Sequence, residues 1–312
     1  MRSELSGDRA LATTAFVAQY WRVAGNTGFN ATIARVAGIL DSAGFVLEER
    51  AKPTDRLTYR IEHRPMREPT WEPVDGALTI VGQPVPVLRY ATNRHMLGMY
   101  SVSTPTGGVE AELVDVGKGS AADLAGKDVS GRIVLGDMSL RALWTEMVRK
   151  RGALGVLAYS MPAYTRPEVN QTSIQFTGIP YDSLHTGWGI PLSFAARATL
   201  RSALARGPVR VRAELSTRIY RSDELTLIAD VRGARAPNDR LVFSAHIQEP
   251  GANDNASGVG DLAEMARVTA SLVRSGRENP GRSITFLWGE EIASTDRYLK
   301  EDSARTAGVR WG

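Results

Sequence analysis

The chain has 312 residues, 43% of them hydrophobic and 23% charged, with a formal net charge of +4 and no cysteine. This leaves room for one large or two ordinary globular domains, and the lack of cysteine excludes disulfides and thiolate chemistry. The basic residues are scattered, and the one tight run, Arg149-Lys150-Arg151, reads as a solvated helix face, which argues against a nucleic-acid partner. No apolar run reaches the roughly 20 residues of a membrane helix, and no signal peptide is visible at the N-terminus.

Residues 3–24 read as a helix carrying Phe16, Val17, Tyr20 and Trp21, followed by the turn signal Gly25-Asn26-Thr27-Gly28. A clearer helix starts at Asn30, with Ile33, Val36, Ala37 and Leu40 on one face and Gly44 as its stop. Residues 45–49 read as a strand. Residues 52–90 are extended and Pro-rich, with Leu57, Tyr59 and Ile61 alternating as in a half-buried strand. Short buried strands are expected at 110–116, 131–135 and 153–159, helices at 143–151 and 195–205, and an exposed strand at 209–215. His63, His95 and His185 have no carboxylate cluster in their neighbourhood and read as loop or surface residues. Beyond residue 216 a strand at 225–231, a polar turn at 235–239 and a strand at 241–245 restore an α/β pattern.

Residues 241–298 hold the chemistry. An apolar strand ends in Ala245-His246, a loop of small residues carries Asn253-Asp254-Asn255, and a helix-period segment follows from about Val259. A second apolar run, 284–288, stops at Gly289 and delivers Glu290-Glu291. In open α/β sheets, ligands bind outside the carboxyl ends of the strands. One imidazole and three carboxylates converging there suggest a metal site. Glu290 and Glu291, being adjacent, would point different ways, so one could ligate a metal while the other handles a proton. Asn255 or Ser257 would cap the helix.

Two resemblances follow from these residues. The stretches VEAELVDVGKG (109–119), DLAGKDVSGRIVLGD (123–137), RGALGVLAYS (151–160) and IPLSF near 190 resemble the protease-associated (PA) domain. The stretches SAHIQEPGANDNASGVGDLAEMAR (244–267) and ITFLWGEE (284–291) resemble the co-catalytic zinc aminopeptidases, the family of bacterial leucine aminopeptidase, aminopeptidase Y and glutamate carboxypeptidase. The second resemblance implies a three-layer α/β/α sandwich with a mixed sheet, phosphorylase/hydrolase-like. A mainly β PA domain would interrupt it, giving a peptidase domain at residues 1–88 and 217–312 and an insert at 89–216.

It also implies two zinc ions and a peptide substrate cut at its N-terminal bond through a water activated by the metals. His246 would be a terminal ligand, Asp254 the bridging carboxylate, Glu291 a ligand of the second ion and Glu290 the general base. Gln248, Asn253 and Asn255 would support them by hydrogen bonding. Gln248 stands where the family has an Asp that orients the imidazole. The family's further Asp and His have no counterpart after Glu291, since Asp296 and Asp302 stand too close to it and no histidine follows His246. The expectation is therefore a C-terminally incomplete chain, inactive by itself. A carboxypeptidase of the same family and a non-catalytic peptide- or protein-binding ectodomain are the alternatives. Periplasmic or secreted location would follow from the resemblance.

Overall fold

A computed structural model describes residues 4–301 and 303–312; Asp302, weighed above as a ligand, lies outside the described residues. The chain divides into two compact units, Met1–Thr70 with Arg221–Gly312, and Trp71–Tyr220.

In the first unit the strands β1 (Val46–Leu47), β2 (Leu57–Pro65), β3 (Asp223–Val231), β4 (Ala236–His246), β5 (Arg282–Gly289) and β6 (Val309–Trp311) form one sheet, ordered β1-β2-β3-β5-β4-β6. The β2–β3 and β3–β5 pairs are antiparallel, and the β5–β4 and β4–β6 pairs are parallel, so the sheet is mixed. Alternate residues of a strand face opposite sides. Leu227, Ala229 and Val231 of β3 and Phe286 and Trp288 of β5 meet helices α1 (Gly7–Ala18), α2 (Thr27–Ala43) and α3 (Ala256–Arg274). Ile228 and Leu287, one residue along, face the other way with Val242 and pack on Tyr298 of α4 (Ala293–Glu301). The result is the three-layer α/β/α arrangement that the resemblance to the co-catalytic zinc aminopeptidases implies.

Several boundaries differ from expectation for local reasons. Helix α2 begins at Thr27 because the Asn26 side chain accepts the Phe29 N–H. It ends where expected, at Gly44, whose φ of 95° suits a residue without a side chain. Helix α1 stops at Ala18, leaving Trp21 buried but outside it. Residues 45–49 form only the two-residue β1 and part of a 3-10 turn, Glu48–Arg50. The turn expected at 235–239 is instead the start of β4, whose register shifts between Ala236 and Arg240. There Arg240 is buried and pairs with Asp230 and Thr285.

The second unit is built on a sheet of seven strands in the order Leu88–Arg89, Thr70–Ile80, Arg210–Tyr220, Val109–Asp115, Ile133–Gly136, Gly155–Ala158, Gly189–Pro191. The last four run parallel, and Val116, Leu140, Leu143, Trp144, Met147 and Val156 form a core against them. The helix expected at 143–151 runs from Leu140 and widens into a π-turn at Thr145–Arg149. This unit begins at Trp71, not near residue 89, because strand Thr70–Ile80 pairs with Leu88–Arg89 inside the same sheet.

Ile33 is 1% exposed at the α2 face of the sandwich, whereas Leu11 on α1 is 65% exposed. Ile33→Ala is expected to lower unfolding free energy by about 2–5 kcal/mol, and Leu11→Ala by less than about 0.5 kcal/mol. Chemical denaturation of both variants checks this contrast.

Candidate metal centre

The centre is assembled by strand register. Parallel β4 and β5 are direct neighbours, and His246 at the end of β4 pairs with Gly289 at the end of β5. The imidazole and the Glu290-Glu291 pair therefore emerge at the same edge of the sheet. Past His246, the chain is held down at once: Ile247 is fully buried and its N–H donates to the Gly289 carbonyl at 2.8 Å.

A buried cation shapes the loop that follows. Arg22 is wholly buried; its Nε donates to the Ile247 carbonyl at 2.7 Å and its Nη2 to the Gly251 carbonyl at 2.9 Å. The Arg22 carbonyl in turn accepts the Glu249 N–H at 2.7 Å. A guanidinium out of water needs its donors satisfied, and here the loop carbonyls, with those of Val17 and Tyr20 accepting from Nη1, satisfy them. The loop closes onto α3, where Asn255 Oδ1 accepts the Gly258 N–H at 3.1 Å and so caps the helix. A Cβ at position 258 would collide with that Asn255 side chain, which explains the glycine. Asn253 contributes its carbonyl, which accepts the Ser257 hydroxyl at 2.7 Å.

This loop brings Asp254 back to the strand end, with His246 Nε2 3.0 Å from Asp254 Oδ1. Glu249 joins them: one potential ligand atom from each of His246, Glu249 and Asp254 lies within 4.8 Å of the other two. Burial raises the proton affinity of Glu249, and the charges of Asp254 and Glu291 raise it further, against the opposing pull of His246 and Arg22. One imidazole nitrogen and clustered carboxylate oxygens form a donor set suited to zinc, and a dication relieves the repulsion that the carboxylates otherwise share.

Glu290 and Glu291 diverge. Glu291 is exposed, and its N–H donates to Gln248 Oε1 at 2.7 Å. Glu290 turns inward to a network in which the Ser294 hydroxyl accepts the Glu290 N–H at 2.8 Å and lies 3.0 Å from Glu224 Oε1. Glu224, Thr226 and Ser294 are all buried, and Arg297 pairs with Glu224 at 2.6 Å. Burial, the charge of Glu224 and a hydrogen bond to it push the Glu290 carboxyl up to about 7, with Arg297 opposing.

Gln248 departs from its expected role. Its carbonyl oxygen accepts from the Glu291 backbone, while His246 Nδ1 is buried without a hydrogen-bond partner among the described residues. A Gln oxygen already engaged by a backbone N–H leaves the imidazole without that support. Of the other histidines, His95 Nδ1 lies 2.9 Å from the Ile174 carbonyl, His185 is exposed beside Asp182 at 3.0 Å, and His63 is exposed. Sequence reasoning passed over Glu249, Glu224 and Arg22. Glu249 stood three residues after His246, but nothing periodic marks a loop carboxylate. Glu224 and Arg22 reach the site through pairings with no sequence-local signal.

Residues 226–295 match Peptidase family M28. Comparison with curated protein sequences finds no match. Among solved structures, the fold is similar to an aminopeptidase from Aneurinibacillus sp. strain AM-1, with 21% identity, a TM-score of 0.56 and coverage of 99% of this chain and 70% of that one. It is also similar to BSAP, a zinc aminopeptidase from Bacillus subtilis, at 17% identity, a TM-score of 0.60 and coverage of 97% and 67%. A Peptidase M28 precursor from Shewanella amazonensis SB2B matches at 18% identity, a TM-score of 0.63 and coverage of 97% and 68%. Residues 226–295, which carry the candidate metal centre, match Peptidase family M28, and the chain around them has the fold of the solved zinc aminopeptidases.

Proposed function

We propose that the chain carries part of the active site of a zinc-dependent exopeptidase of aminopeptidase type that hydrolyses the N-terminal bond of peptides. The observation that carries this reading is the 3.0 Å approach of His246 Nε2 to Asp254 Oδ1 at the sheet edge where Glu290 and Glu291 emerge. On this reading His246, Asp254 and Glu291 would hold zinc. Bound there, zinc supplies Lewis-acid polarisation of the scissile carbonyl.

The rest of the chemistry falls to the chain's own side chains. Glu290 takes a proton from the attacking water and delivers it to the departing amine nitrogen. A carboxyl pushed up to about 7 is matched to that task near neutral pH. Ser294 and Glu224 hold Glu290 from behind, and Arg297 keeps the charge of Glu224 paired. Gln248 fixes the backbone of Glu291, and Asn255 anchors the Asp254 loop to α3. The unit Trp71–Tyr220 is, on the same reading, a PA domain set between two parts of the peptidase; its parallel strands Val109–Asp115, Ile133–Gly136 and Gly155–Ala158 carry the stretches that resemble that domain.

Glu290→Gln is expected to slow hydrolysis of leucine p-nitroanilide by at least about 100-fold while leaving bound zinc in place. His246→Ala should lose both zinc and activity. An unchanged rate in Glu290→Gln contradicts the role given to that carboxylate. The rate should rise with pH through about 7, as Glu290 gives up its proton. Removing the Glu224 charge lowers the proton affinity of Glu290, so Glu224→Gln should move this limb of the pH profile to lower pH.

A further inference from the structure

We propose that Glu249 is itself a metal ligand, completing the coordination of the ion held by His246 and Asp254; the inference rests on the metal-site reading above. Glu249 has φ of 83°, in the left-handed region that glycine or asparagine occupies readily and glutamate does not. The residue is therefore not there to suit the backbone. The backbone is instead forced to suit the residue: Arg22 accepts the Glu249 N–H at 2.7 Å and clamps the carbonyls on both sides, Ile247 at 2.7 Å and Gly251 at 2.9 Å.

The outcome of this clamping is where the carboxylate lies. One of its oxygens, a His246 nitrogen and an Asp254 oxygen all fall within 4.8 Å of one another. Zinc bonds of about 2.0–2.2 Å bring two donors on one ion to roughly 3–4 Å apart, so a small contraction closes the three around one metal. Among the described residues no hydrogen bond or ion pair engages the Glu249 side chain. An ordinary structural carboxylate in a half-buried loop would have found such a partner. His246 contributes a neutral nitrogen, so the addition of Glu249 to Asp254 gives this ion two negative charges from the protein.

The test is a zinc titration of the full chain, stripped with a chelator and read by competition against a chromogenic zinc indicator. Wild type, Glu249→Gln, Glu249→Gly and His246→Ala are compared, together with the visible spectrum of each loaded with cobalt(II). Glu249→Gln and Glu249→Gly should both weaken zinc binding by more than about tenfold, beyond the lower end of what loss of an outer partner costs a metal site, and both should alter the cobalt spectrum. Glycine also fits the left-handed backbone, so the metal-free Glu249→Gly protein should melt no lower than wild type. Affinity and fold stability then separate. If both Glu249 variants bind zinc as wild type does while His246→Ala does not, the inference fails and the metal site stands. If His246→Ala binds as wild type, or wild type binds no zinc, the metal-site reading fails and takes this inference with it.

Discussion

The shared ending of two neighbouring parallel strands is the constraint on which the site depends. Because β4 and β5 pair with His246 opposite Gly289, residues 43 to 45 positions apart in sequence leave the sheet side by side. Register of this kind is set by the core: Phe286 and Trp288 must face the helices while Leu287 faces Tyr298, and a slip of one residue would invert every one of them. The same packing that buries the sheet thus fixes the position of the imidazole relative to the two glutamates. Helix α3 lies across that core and holds the loop bearing Asp254 by its capping Asn255.

Around this edge, similar carboxylates are given different surroundings. Glu290 is turned into a buried network with Glu224, Thr226 and Ser294, where the low dielectric favours its protonated form. Glu291, the next residue, is exposed. Glu249 and Asp254 are drawn against His246 instead. Carboxylates whose environments push their proton affinities apart are the usual basis for dividing acid, base and ligand roles. Two arginines hold these surroundings in place: Arg297 pairs with Glu224 beside Glu290, and Arg22 ties together the loop that carries Glu249.

Much of this was legible in the sequence because it follows hydrophobic periodicity. The apolar positions of α2 and α3 and the apolar runs of β3 and β5 announce an α/β domain, which the resemblance to the co-catalytic zinc aminopeptidases extends to a three-layer sandwich, and His246, Asp254 and Glu290-Glu291 stand at the ends of those elements. What was not legible depends on contacts distant in sequence or on loop backbone. Arg22 reads as a polar position near a helix end, yet it is fully buried and reaches carbonyls more than 200 residues away. Glu224 meets Glu290 because β3 runs antiparallel to β5, a pairing no local pattern reveals. Glu249 takes a conformation that its residue type disfavours. The polar stretch 235–239 looked like a turn, but pairing of Ala236 with Arg282 and burial of Arg240 draw it into β4.

The central claim is that the edge formed by His246, Asp254 and the Glu290-Glu291 turn is a metal centre. Anomalous diffraction at the zinc edge, from crystals of this chain grown with zinc, tests it most directly. The account predicts an anomalous peak within bonding distance of His246 Nε2 and a carboxylate oxygen of Asp254. Zinc peaks found only elsewhere, with no anomalous density at His246, would contradict it.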